Sequence, residues 1–327
     1  MAYHSTSGLA SNTSDALTKL KTFLTVDCGW TLWDDQMGQA QPYFVVYSAG
    51  ESGKEDIYLQ FIDDATLNKV SVKGALYWNP ATHMAVKPVF VSDTTAFLTS
   101  DSVPFNYWFF VSLDRVFIVT RLGANYFCHY SGIIKRFWSD EIATTQGDVN
   151  SGTNVVVSVN DASILTPGKY YIIKDNANIA RVQVTAMDIE STPNHATIAT
   201  LATGYSAGAK LGEDPQPVIV GNSNLPGCQF LNRYDGYASQ SGHSGNVREF
   251  SGYQAGNTDP DCRYHMVAMF PIFVTCEPTG WEEVRGELID VYCIGSGAGA
   301  SEDVIDLGTS TYKIFNYTGS IWLAVRE

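Results

Sequence analysis

No CxxC pair, no HExxH helix and no DxDxDG loop occurs in this 327-residue chain. These absences remove the common zinc, metalloprotease and calcium signatures. Long apolar runs are missing too. The richest stretch, 105–138, is broken by Asp114, Arg115 and Arg121 before it reaches the 18 or so residues of a membrane span, so no membrane insertion is expected. Positive charge is scarce. Lys plus Arg number 20 against 34 Asp plus Glu, a formal charge of −14, so the cationic surface that releases counterions from phosphates is lacking and direct nucleic-acid binding is not expected. Charged residues of both signs make up only 17%, below the quarter or so of typical soluble domains, which leaves room for surface covered by other subunits. The opening MAYHSTSGLASNTSDALTKL has neither a basic n-region nor a continuous apolar core, so the expectation is synthesis in a cytoplasm without a secretory signal.

What is present is aromatic and β-branched. Hydrophobic residues are 45% and aromatics 13%, a composition that orders. The chain is organised around Phe105 to Trp138. NYWFFV and VFIVTRL flank the polar turn SLDR as an antiparallel hairpin, and ANYFCHYSGII adds a third strand.

Ahead of it, Leu17, Leu20, Phe23 and Leu24 recur at helical spacing, with Ser14 and Asp15 as caps and Gly29 as the stop. A meander of strands follows from WTLWDDQ to VSVKGALYW. After Trp138 the pattern changes. VVVSV, KYYIIKD, IARVQVTAMD and HATIATLATGY, separated by turn residues, predict a small closed or nearly closed β-domain at 141–212, inserted between host segments 1–140 and 213–327. Pro215 and Pro217 mark the chain's return rather than a central strand. Residues 222–261 are rich in Gly, Ser, Asn and Asp without periodicity and read as a long arm. Pro271 predicts a bend or an edge in YHMVAMFPIFVTC. The fold class expected is α+β, predominantly β: an antiparallel sheet core with an N-terminal helix and an inserted small β-barrel-like domain.

No residue set assembles into a catalytic or metal-binding pattern, so no enzyme activity, cofactor or metal is expected. His129 beside Cys128 reads as a packed histidine, because strand neighbours point to opposite faces. Asp34 with Asp35, Asp63 with Asp64 and Glu282 with Glu283 read as solvated turns and helix starts. GYSAG matches the pentapeptide of a nucleophile elbow around Ser206 but lacks the following helix. The six cysteines allow 15 pairings or none, and Cys228 and Cys262, which flank the arm, are the candidates for a cross-link.

The helix-to-WTLW opening, VYSAGESGKEDIYLQF, the block PFNYWFFVSLDRVFIVTRLGANYFCHYSGII, GEDPQPVIVGN and the final GELIDVYCIG to IWLAV together resemble a little-characterised group of virion proteins of contractile-tailed bacteriophages. The resemblance implies a structural subunit of the tail, at the neck collar, in a sheath-like sleeve or at the baseplate junction. It also implies a symmetric ring of six copies or a multiple, contacting other tail or neck proteins. Phe230, Tyr234, Tyr237, Phe250 and Tyr253 on the arm are then the expected assembly contacts. The alternative is a receptor- or carbohydrate-binding virion protein that stacks exposed Tyr and Trp on sugar rings.

Overall fold

A computed structural model describes residues 3–75, 77–85, 95–136, 141–212, 218–221, 227–230, 244–248, 269–276, 283–294, 299–318 and 321–327. The first element is a strand, β1 (His4–Ala10), which the sequence reading did not foresee. Helix α1 (Thr13–Thr22) follows and runs into a π turn over Phe23–Asp27. Its cap is Asn12 rather than Ser14 or Asp15: the Asn12 side chain accepts from Asp15 N at 2.8 Å, while Asp15 accepts from Ser11 N. The first bond satisfies an amide that the first helical turn leaves without a backbone partner, the second ties the residue before the cap back to that turn, and such a cap contributes about 1 kcal/mol.

Then come β2 (Thr31–Asp35), β3 (Tyr43–Ser48), β4 (Ile57–Asp64), β5 (Lys69–Ala75), the short pair β6 (Trp78–Asn79) and β7 (Met84–Ala85), and β8 (Thr95–Leu98). β2, β3, β4, β5 and β8 form a five-stranded sheet in that order, the predicted meander. The central hairpin is β9 (Phe105–Val111) and β10 (Arg115–Leu122), followed by β11 (Asn125–Ile133) and a two-residue β12 (Lys135–Arg136). The inserted segment holds β13 (Ile142–Thr144), β14 (Gly152–Val159), β15 (Tyr170–Lys174), β16 (Ile179–Asp188), β17 (Asn194–Leu201) and β18 (Lys210–Gly212). These strands pair in the order β13-β18-β15-β16-β17-β14, and a bridge from Thr145 to Val159 curls the sheet back towards its own start.

The remaining strands are β19 (Val218–Gly221), β20 (Gly227–Phe230), β21 (Ser244–Arg248), β22 (Met269–Cys276), β23 (Glu283–Ile294), β24 (Val304–Asp306), β25 (Thr311–Thr318) and β26 (Ile321–Arg326). With β1 and β9–β12 they make a thirteen-stranded sheet in the order β1-β9-β10-β11-β19-β20-β21-β22-β23-β26-β25-β24, with β12 on β23. Three expectations are corrected here. β19 lies between β11 and β20, so the segment after Pro217 is an interior strand. β22 is interior as well, so of the bend and the edge that Pro271 allowed the edge is excluded, and a register shift follows directly between Pro271 and Phe273. The segment read as an aperiodic arm contributes β20 and β21. Tyr234, Tyr237, Phe250, Tyr253 and Cys262 lie outside the described residues, as do the side chains of Phe230 and Cys228.

The hairpin is the middle layer of the molecule. Alternation along β9 and β10 sends Phe105, Tyr107, Phe109, Val116 and Ile118 into a core with Leu17, Leu20 and Leu24 of the helical segment and Phe44, Phe61 and Val72 of the five-stranded sheet. The opposite parity, Trp108, Phe110, Phe117 and Val119, packs with Ile272, Val291, Phe315, Leu323 and Val325 from β22, β23, β25 and β26. The thirteen-stranded sheet therefore folds over on itself around this second core. A third core, among them Val157, Ile173, Val184, Ile198 and Leu211, draws among the described residues only on the stretch 143–211. The fold is α+β, predominantly antiparallel β, with one N-terminal helix and a curled, half-barrel-like inserted sheet, as the sequence predicts.

Candidate functional site

A cluster of aromatic rings around a buried carboxylate lies on the face of the five-stranded sheet opposite the core it shares with α1. β2 carries a bulge between Leu32 and Asp34, which resets the pleat where the chain reads Trp33-Asp34. Asp34 is buried. Its Oδ2 accepts from Trp78 Nε1 at 2.8 Å and its Oδ1 from Gln36 Nε2 at 3.0 Å. His83 Nδ1 lies 2.9 Å from Oδ2 and 3.1 Å from Oδ1. Burial works against ionisation of Asp34, but the bonds from His83, Trp78 and Gln36 outweigh it and hold the carboxyl below the usual range. His83 sits at φ +54° in the turn between β6 and β7, and its side chain keeps 48% of its surface exposed while that of Asp34 keeps 3%. The pair pins the β6–β7 hairpin to the sheet.

Beside it runs a cluster of rings. Trp33 lies 5.3 Å from both Tyr47 and Tyr58, Tyr47 lies 4.9 Å from its cross-strand partner Tyr58, and Tyr58 lies 5.8 Å from Tyr77. Tyr58 and Trp78 are buried, whereas Trp33, Tyr43, Tyr47 and Tyr77 are half-buried. Trp33 Nε1 donates to Trp78 O at 2.8 Å, so the indole is committed to the hairpin and offers only its ring to a ligand.

An aspartate-supported histidine is half of an acid–base device. Among the described residues no hydroxyl or thiol is hydrogen-bonded to His83, and no group of three or more His, Cys, Asp or Glu side chains is placed to hold a metal. The geometry thus provides a rigid aromatic surface with one half-exposed imidazole at its side.

Sequence reasoning read His129, Cys128 and Ser206 as the structure places them, misread Asp63 and missed this set. His129 is fully buried, shares a hydrogen with Ser131 Oγ at 2.7 Å and packs 5.6 Å from Phe97; burial pushes its pKa down to about 3. Cys128 faces the other core, the opposite-face arrangement expected. Ser206 sits in a turn, its amide donating to Asp175 and its carbonyl accepting from Thr145 Oγ1, far from an elbow. Asp34 and Asp63, read as solvated turn residues, are both buried. Asp34 and His83 are 49 residues apart, and no spacing rule joins them. The available signal was the tryptophan next to Asp34, since a carboxylate among aromatics needs a buried donor.

Comparison with protein families finds no family that matches this chain, and comparison with curated proteins finds no similar one.

Proposed function

We propose that the chain is a non-catalytic structural subunit that assembles in multiple copies, and that it serves in a virion tail as a ring or sleeve at the neck collar or the tail-to-baseplate junction. The tail location and the sixfold copy number rest on the sequence resemblance alone. The observation that carries the assembling role is β1. It is the first strand of the thirteen-stranded sheet, seven residues long, paired to β9 in continuous register from His4–Val111 to Ala10–Phe105. HSTSGLA itself contains no Lys, Arg, Asp, Glu or Pro and no bulge, devices by which edge strands ordinarily repel another strand, while at its C-terminal end Lys19 of α1 donates to Leu9 O at 2.8 Å. Ser5, Ser7 and Leu9 are exposed, Leu9 by 59%. The opposite edge, β24, is three residues long and ends in Asp306, so it carries two such devices. A neighbouring copy laid along β1 would continue the sheet through main-chain bonds.

Leu9→Lys is expected to leave the monomer's denaturant midpoint unchanged, because the side chain is exposed, and to weaken self-association about tenfold or more. Native mass spectrometry and projection symmetry of assembled particles read both. A wild-type chain that stays monomeric and enters particles at one copy would overturn the assembly role. An assembling Leu9→Lys variant would remove β1 from it.

The second reading, a receptor- or carbohydrate-binding virion protein, is favoured by the half-buried rings of Trp33, Tyr43, Tyr47 and Tyr77 beside His83. Under it, wild-type protein is retained on a polysaccharide column and Trp33→Ala is not. Equal passage of both through a panel of polysaccharides excludes it.

A further inference from the structure

We propose that Lys174 and Lys210, two amines of the inserted β-domain, close on the single carboxylate of Asp56 as a latch that docks this domain reversibly on the five-stranded sheet. Lys174 ends β15 and Lys210 begins β18, and the two are direct partners in the β15–β18 register, so their side chains leave the domain side by side. Lys174 Nζ lies 3.0 Å and Lys210 Nζ 2.7 Å from Asp56 Oδ2. Lys210 Nζ also donates to the carbonyl of Lys54 at 2.5 Å, and Tyr47 OH donates to Asp56 Oδ1 at 3.3 Å. The contact is ionic in kind. Among the described residues the third core draws only on the inserted domain, and none of that domain's residues joins the cores of the host.

Two cations on one carboxylate, with only 6% of the Lys174 side chain exposed, make a joint that titrates. The groups facing it are Tyr47, Glu55, Asp56 and Tyr58 from the host and Lys174 and Lys210 from the inserted domain. Burial pushes Lys174 down to about 8, and the charges of Asp56 and Glu55 only partly offset it. Burial opposes the ionisation of Asp56 as well, but Lys174 and Lys210 more than compensate and hold it below the usual carboxylate range. Tyr47 is raised to about 12 and Tyr58 further, both by burial first, so neither changes charge between acid and mild alkali.

The two titrations act in one direction. A lysine whose pKa falls on docking binds fewer protons when docked, so docking strengthens as pH rises from about 8 towards the free-lysine value. An aspartate whose pKa falls on docking supports the docked state above the ordinary carboxylate range and loses that support as acid protonates it. Acid therefore releases the domain and mild alkali holds it. The latch is independent of the assembly role proposed above.

The test is hydrogen exchange and small-angle scattering on the full chain. In Asp56→Asn at pH 7, amides of 50–57 and at the joint ends of β15 and β18 should exchange about tenfold faster or more, with a larger radius of gyration. β16 and β17 should keep wild-type protection. Lys174→Met removes the buried charge, leaves Asp56 paired with Lys210, and should stay docked while losing the strengthening above pH 8. If Asp56→Asn does not fold, the Lys174→Met/Lys210→Met double variant carries the test, since it strands the carboxylate without a cation and should release the domain. Wild-type scattering and exchange in whichever of Asp56→Asn and the double variant folds would overturn the latch. So would unchanged compactness of the wild-type protein on acidification from neutral pH to below the ordinary carboxylate range, about pH 2.5, with both sheets still protected.

Discussion

Phe117→Ala is expected to cost about 3–5 kcal/mol and Ile118→Ala about 2–5 kcal/mol of unfolding free energy. Both side chains are wholly buried, and neighbours on a strand point to opposite faces. Phe117 enters the core under β22–β26, 6.4 Å from the rings of both Phe110 and Tyr130. Ile118 enters the core beneath α1 and the five-stranded sheet, opposite Phe109 in the β9–β10 register. Each truncation removes transfer energy and leaves a void that a two-sided core cannot close, because strand movement to fill one face opens the other. Two such losses are comparable only where the strand is covered on both sides within one chain. Denaturant melts at unchanged slope measure them. A wild-type midpoint for either variant would remove the three-layer arrangement, and a variant that kept its midpoint but failed to assemble would place that face at a subunit contact.

The hairpin of that arrangement was legible because the residues that make it are unambiguous. NYWFFV and VFIVTRL suit a pleated surface packed on one or both faces, and the turn between them contains the polar residues of a hairpin; that both faces are covered within the chain is what the structure adds. The inserted strands were legible for a different reason. Each is a period-two or continuous apolar run closed by turn residues, and their pairing order requires only short connections. β1 was not legible. HSTSGLA has no apolar alternation, and the strand exists because β9 offers it seven partners in register. β20 and β21 were hidden in the same way, since GCQF and SGNVR form strands through their neighbours rather than through their own propensity.

The candidate site was the least legible part. Asp34, Trp78 and His83 come from β2, β6 and the turn after it, and only the folding of the β6–β7 hairpin over the sheet brings them together. A carboxylate pair in a sequence is ordinarily solvated, and what overrides that here is three donors supplied from a distance in the chain. The joint at Asp56 is the same kind of feature. Lys174 and Lys210 are 36 residues apart yet adjacent in register, so a strand pairing and a domain contact must both form before the charges meet.

Gly132→Ala is expected to cost more than about 3 kcal/mol, through a backbone clash rather than a lost contact. Gly132 has φ +137°, a conformation that side chains rarely adopt, and sits opposite Arg115 in the β10–β11 pairing. A Cβ there would stand 2.3 Å from Asp114 O and 2.7 Å from Arg115 Cα. Neither atom belongs to a side chain that can swing away. The same Asp114 carbonyl accepts from Ile133 N at 2.9 Å, so relief by moving the strands breaks the bond that closes the hairpin turn against β11. It also shifts Arg115, whose fully buried guanidinium donates to Phe110 O at 3.1 Å and Arg326 O at 3.3 Å and cannot reach water if those acceptors are lost. Gly147→Ala is the matched control. No atom lies within 4 Å of a Cβ at Gly147, and the change should stay within about 0.5 kcal/mol of wild type. Denaturant melts of the two variants side by side decide the matter: if Gly132→Ala unfolds with Gly147→Ala, the close crossing of β11 over the Asp114–Arg115 backbone is wrong.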